Sequence, residues 1–241
     1  MNIQVVQDYE QMSRIAAFMI ASQVISKPQS VIGTAPGDTT LGAYSRLVDY
    51  YEAGDVDFSK LRIFNLDEYW GLDKDHVQSA YNYMKTNLVD RINMSPDAFY
   101  IPDGAVKDVF PECKRYEKSI DQCGGIDLQL LGLGRNGHIG FNEPSDYFSP
   151  YTYLVDLSET TREDNAHFFR NIDEVPREAI SMGIGTIMRA RRILLVATGY
   201  EKASAVREMI AKRVTPACPA SILQFHPDTT ILLDEAAASL L

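Results

Sequence analysis

The chain is poor in the residues on which several protein classes depend. It has three cysteines in 241 residues, Cys113, Cys123 and Cys218, and no C-x-x-C pair. An odd, widely spaced set excludes a disulfide framework or a cysteine zinc cluster, and reads as unpaired thiols of a reducing cytoplasm. Basic residues are scarce: 23 Lys and Arg face 33 Asp and Glu, a net charge of −10. Nucleic acids and anionic membranes are held by basic patches, so neither is an expected partner. Any anionic substrate must instead be gripped by a few placed cations. No apolar run approaches the length of a membrane-spanning helix. The N-terminus, MNIQVVQDYEQM, carries acidic residues early and no basic segment, so no signal peptide is expected. Repeats, low-complexity tracts and Pro/Gly/Ser-rich linkers are absent, which leaves one domain over residues 1–241 as the expectation.

What is plentiful is apolar sequence, 45% of residues, arranged in alternating strand and helix patterns. Such alternation predicts an α/β fold with one open, mainly parallel sheet covered by helices on both faces. The stretch Leu128–Pro144, LQLLGLGRNGHIGFNEP, organises the rest. Leu128, Leu130, Leu131 and Leu133 have the pattern of a strand buried on both faces. Gly132, Gly134 and Gly137 break it, and Asn136, His138, Asn142 and Glu143 follow within eight positions. Open α/β sheets put their ligand crevice at the carboxyl ends of strands, so this loop is the first candidate site, with a solvated polar loop as the alternative.

Other segments point to the same rim. The strand at 61–66 ends on Asp67-Glu68, whose side chains point to opposite sides along an extended segment, so at most one enters the crevice. A desolvated carboxylate there has a raised pKa and can move protons; a surface helix-capping pair is the alternative. Thr34–Thr40 is a small-residue loop between a strand and a helix expected from about Leu41, a geometry that offers backbone N–H groups to an anion. That loop has neither G-x-G-x-x-G nor G-x-x-x-x-G-K-[ST], which disfavours nucleotides. An ordinary turn with Asp38 or Thr39 as N-cap is an equal reading. Lys202 falls on a helix start, where the dipole disfavours a cation unless it holds an anion. Arg162, in a helix expected over 158–170, is a second candidate clamp, with a surface ion pair as the alternative. The tract SDYFSPYTYLVDL fits a flap, around 145–185, or a loop and edge strand.

Together these segments resemble the glucosamine-6-phosphate deaminases, a sugar-phosphate isomerase family with a single-domain Rossmann-like three-layer α/β/α fold. The resemblance runs nearly end to end. It is carried by FNLDEYWGL (Phe64–Leu72), LGLGRNGHIGFNEP (Leu131–Pro144), TREDNAHFF (Thr161–Phe169) and PASILQFHP (Pro219–Pro227). It implies that Asp67 is the base for enolisation, moving a proton between C2 and C1 of the opened sugar. His138 would open the ring, held by Glu143 and Asn136. The 6-phosphate would rest on Gly37, Asp38 and Thr39, with Arg162 and Lys202 supplying positive charge. The implied reaction turns glucosamine 6-phosphate and water into fructose 6-phosphate and ammonium, with no metal or organic cofactor.

Three departures from the family pattern bear on this. Asn136 stands where some members have Asp. Pro36-Gly37-Asp38-Thr39-Thr40 replaces a usual T-G-G/S-T-P. A carboxylate beside a phosphate dianion costs on the order of 1–3 kcal/mol unless Asp38 turns away to cap the helix. Pro150-Tyr151-Thr152-Tyr153 replaces a more polar segment. Asp38 and Tyr151 keep galactosamine 6-phosphate open as the substrate. A 6-phosphogluconolactonase-like hydrolase, which does not need the enolising Asp67, and a non-catalytic sugar-phosphate sensor are weaker alternatives. The chain ends soon after Leu233, without the C-terminal extension of hexameric, allosterically activated members, so a monomer without such activation is the expectation.

Overall fold

Four helices begin where the sequence supplies a side-chain acceptor for a free N–H. Asp8 accepts from Gln11, Ser79 from Asn82, Asp108 from Phe110 and Ser158 from Thr161. Each acceptor satisfies one of the donors that a helix start leaves unpaired. The computed structural model describes residues 1–241. In chain order the elements are β1 (Asn2–Val6), α1 (Tyr9–Ser26), β2 (Val31–Thr34), α2 (Asp38–Glu52), β3 (Arg62–Asn65), β4 (Asp67–Tyr69), α3 (Ala80–Asn87), β5 (Phe99–Tyr100) and α4 (Val109–Gln122). Then follow β6 (Leu128–Gly132), β7 (Tyr153–Asp156), α5 (Glu159–Asn165), β8 (Glu178–Ser181), α6 (Ile184–Met188), β9 (Arg192–Ala197), α7 (Ala203–Ile210) and β10 (Thr229–Asp234).

Seven strands form one sheet in the order β1-β10-β9-β6-β2-β3-β5, every pair of them parallel. The continuous apolar run in β6 has the expected cause. Leu128 and Leu130 enter the core on one face, with α1 and α2, while Leu131 and Leu133 enter the core on the other, with α4 and α7. No helix is long and apolar enough to cross a membrane.

A second sheet, β4-β8-β7, was not expected; it is antiparallel, with Asp67 opposite Ser181. Only Leu66 separates β3 from β4, so the chain leaves the large sheet and joins the small one within a residue. Strands of three and four residues carry too little periodicity to be seen in sequence. Two helix limits also differ from expectation. α2 starts at Asp38, because Gly37 takes a φ of +123° that ends the loop early. α5 stops at Asn165, whose side chain donates back to the Thr161 carbonyl (2.8 Å), and a 3₁₀ turn follows at Ala166–Phe168.

Candidate active site

The loops at the carboxyl ends of adjacent parallel strands enclose a cleft of about 770 Å³. Along the sheet edge, the loop after β9 brings Lys202, the loop after β6 brings Arg135 and His138, the loop after β2 and the first turn of α2 bring Gly37 to Thr39, and the start of β4 brings Asp67. β6 and β2 are neighbours whose following chains diverge, so the cleft lies at a switch point of the sheet. α5 and the turn after it cover the cleft with Asp164, His167, Phe168 and Phe169.

His138 owes its position to a glycine. A Cβ on Gly134 would lie 2.3 Å from the imidazole Cε1, so the ring packs on bare backbone. Nδ1 faces Thr161 Oγ1 at 3.3 Å and Glu143 Oε2 at 3.7 Å, which leaves Nε2 for a substrate. Burial works against a charge on Glu143, but His138, Thr161 and the Ser158 N–H together hold its carboxyl down at about 2. Asn136 Nδ2 donates to Glu143 Oε2 (2.7 Å) and its Oδ1 accepts the His138 backbone N–H (3.1 Å). The amide at 136 therefore anchors the carboxylate and the loop, rather than the imidazole. Asn142 is structural: its Nδ2 donates to the Ile139 and Met182 carbonyls, both at 2.8 Å. Gly132–Gly137 happens to spell G-x-G-x-x-G, yet β6 runs into turns and an Ile139–Asn142 bridge instead of the helix a dinucleotide site requires.

Asp67 and Glu68 do point to opposite sides. Asp67 lines the cleft and is 4% exposed. Burial, and secondly the neighbouring Glu68, push its carboxyl up to about 8. Glu68 accepts the N–H groups of Tyr69 (2.8 Å), Ala80 and Tyr81 (both 2.9 Å), so it caps α3 from twelve residues away. Burial outweighs those three hydrogen bonds and raises it to about 7. Glu68 thus caps a helix, but as a buried group and not as half of a surface pair. A Cβ on Gly140 would sit 3.7 Å from Asp67 Oδ2, which shows how closely the loop after β6 and the start of β4 meet.

At the other end, Gly37, Asp38, Thr39 and Lys202 line the cleft as expected. Asp38, however, caps nothing. The N-cap of α2 is Gly37, and the Asp38 carboxylate pairs with His167 Nε2 at 3.0 Å. Thr39 is likewise inside the helix. Arg162 must be withdrawn as an anion clamp. Its guanidinium donates to the carbonyls of Ile172 (2.8 Å) and Val175 (3.3 Å), because a helix turns it roughly 100° away from Thr161, the residue that faces His138. Tyr151 also lies outside the cleft, exposed over Arg189 at 5.7 Å, so it gives no reason for a different sugar. Sequence reading missed Arg135, which lines the cleft and pairs with Asp164. Its only signal was its place inside the loop already singled out. It also missed Thr161, since a contact between residues 23 apart leaves no local trace.

A model of the glucosamine-6-phosphate isomerases/6-phosphogluconolactonase family matches residues 9–232. The chain is 51% identical over 241 residues to a glucosamine-6-phosphate deaminase of Alkaliphilus metalliredigens (strain QYMF), covering 100% of both chains. It is 48% identical over 241 residues to the deaminase of Halothermothrix orenii, again covering 100% of both. The solved structure of a monomeric glucosamine-6-phosphate deaminase superposes with a TM-score of 0.98 at 43% identity, covering 100% of each chain. A 6-phosphogluconolactonase from Trypanosoma cruzi shares the fold, with a TM-score of 0.80 at 23% identity over 100% of this chain and 96% of that one. On its sequence and its fold, the chain belongs to the glucosamine-6-phosphate isomerase/6-phosphogluconolactonase family, among the glucosamine-6-phosphate deaminases.

Proposed function

We propose that the chain converts glucosamine 6-phosphate and water to fructose 6-phosphate and ammonium, as a monomer in the cytoplasm. One observation carries the reading: the cleft holds two proton-transfer groups of different kinds, the buried Asp67 carboxyl and the Glu143-supported His138. His138 takes the proton of the anomeric hydroxyl and one is returned to the ring oxygen, which opens the pyranose to an aldehyde. Glu143 stabilises the imidazolium in between. Asp67 then removes the C2 proton while a proton of the substrate's ammonium passes to O1, giving an amino-enol, and returns its proton to C1. The resulting 2-imino group takes up water at C2, the C–N bond breaks, and ammonium leaves with fructose 6-phosphate behind. A carboxyl raised to about 8 suits this shuttle, because it gives up and regains a proton near neutral pH. Lactone hydrolysis has no use for an enolising carboxylate.

The test is ammonium release from glucosamine 6-phosphate and galactosamine 6-phosphate side by side, with unphosphorylated glucosamine as control. Turnover of the gluco phosphate well above the other two is the expected result. Preference for the galacto epimer would keep the chemistry and change the substrate. A folded protein that releases no ammonium from either would overturn the reading.

A further inference from the structure

We propose that Arg135 is a second cation for the substrate's phosphate group, held ready by Asp164. The inference rests on the deaminase reading for the identity of the substrate, and on the cleft itself for the anion site. Its starting point is the order of loops along the sheet edge. β6 lies between β9 and β2, so Arg135 projects from the loop between Lys202 and the start of α2. With Arg162 turned away, Lys202 and Arg135 are the two fixed positive charges lining the cleft.

The two cations are held differently. Lys202 is half-buried and makes no ion pair, although Asp164 and Glu201 attract it. Burial, with the neighbouring Arg135 adding to it, pulls its ammonium below the usual lysine range. A half-buried ammonium without an ion-pair partner, near another cation, gains when an anion joins them. Arg135 does have a partner, Asp164, whose side chain is 24% exposed while that of Arg135 remains 40% exposed. Asp164 offsets part of the repulsion between the two cations and fixes the guanidinium at the cleft. A guanidinium carries five N–H donors, so Arg135 can keep one edge on Asp164 and present others to a phosphate, a bidentate geometry Lys202 cannot offer.

A purely structural alternative exists, since the pair also ties α5 to the loop after β6. The experiment separates the two. Binding of glucitol 6-phosphate, which has no anomeric centre and no amine to lose, is measured by calorimetry on the full chain and its Arg135→Ala, Arg135→Lys and Asp164→Asn variants. Folding is checked by thermal melts, and inorganic phosphate serves as a second probe. Arg135→Ala is expected to weaken glucitol 6-phosphate by at least ~10-fold and raise KM for the sugar phosphate in parallel, with kcat moved far less. Arg135→Lys should recover part of the loss. Asp164→Asn, which breaks the same pair but leaves the guanidinium able to reach the phosphate, should lose much less than Arg135→Ala. Equal losses from Arg135→Ala and Asp164→Asn would make the pair a structural tie and overturn the proposal. So would unchanged affinity in Arg135→Ala, or a parent chain that binds neither probe. Arg135-dependent binding without ammonium release would instead keep the anion site and discard the deaminase reading.

Discussion

Asp67 shows at the residue scale how a site is made at the expense of stability. Its carboxyl is 4% exposed and raised to about 8, against about 3.9 in an unfolded chain. The folded state therefore prefers the protonated form. The stabilisation is fully present below about pH 4 and is lost as pH rises through about 8. Asp67→Asn removes both the proposed base and this penalty. It should lower kcat by roughly 10²–10⁴. It should also be more stable than the parent at pH 8–9, by on the order of a few kcal/mol, with the gap closing near pH 4. Turnover at the parental rate would remove Asp67 from proton transfer; no stability gain at high pH would mean that the carboxyl is not held neutral. Residue types marked Asp67, Glu68, His138 and Glu143 as candidates for the cleft, but did not choose between the two adjacent carboxylates. They could not separate Arg162, which serves two backbone carbonyls, from Arg135, which faces the cleft.

At the scale of the element, the loop after β6 works because its glycines hand space to other side chains. His138 occupies the volume that a Cβ on Gly134 would fill. Gly134→Ala should push the imidazole off its Thr161 and Glu143 contacts, lowering kcat by about 10²-fold or more, since small misplacements of a proton-transfer group are expensive. The substitution lies in a loop, so the chain should still fold; a variant with parental kcat would show that the ring has another seat. Elements also help each other across the chain. Glu68, at the start of the small sheet, caps α3, and Ser181 Oγ in β8 accepts the Phe141 N–H at 3.0 Å, tying the same sheet to the catalytic loop.

For the whole molecule, the two ends of the sheet have separate duties. At the amino end Asp127 is 4% exposed and joins three segments: Lys27 Nζ at 2.8 Å, Arg191 at 2.7 Å and the Val31 N–H at 2.9 Å. No catalytic group lies among these partners. Both cations are about half exposed, which screens them, so Asp127→Ala should cost about 2–3 kcal/mol rather than the larger penalty of a fully buried pair. That corresponds to a fall in Tm of roughly 5–10 °C for a chain of this size. Ammonium release at 25 °C should stay within about twofold of the parent. A large loss of kcat without a fall in Tm would show that the two ends of the sheet are coupled.

The sequence by itself determined the alternation of strands and helices, the burial of β6 on both faces, and the polar loop that lines the cleft. Those properties are local: periodicity, glycine and proline punctuation, and side-chain type act over a few residues. Tertiary structure decided the rest. It alone brought Thr161 to His138, set Asp38 against His167, turned Arg162 away and Arg135 inward, and added the small sheet that seats Asp67. Each of these joins residues distant in sequence or depends on where a helix stops. The packing of one element against another fixes such contacts, and no local pattern records it.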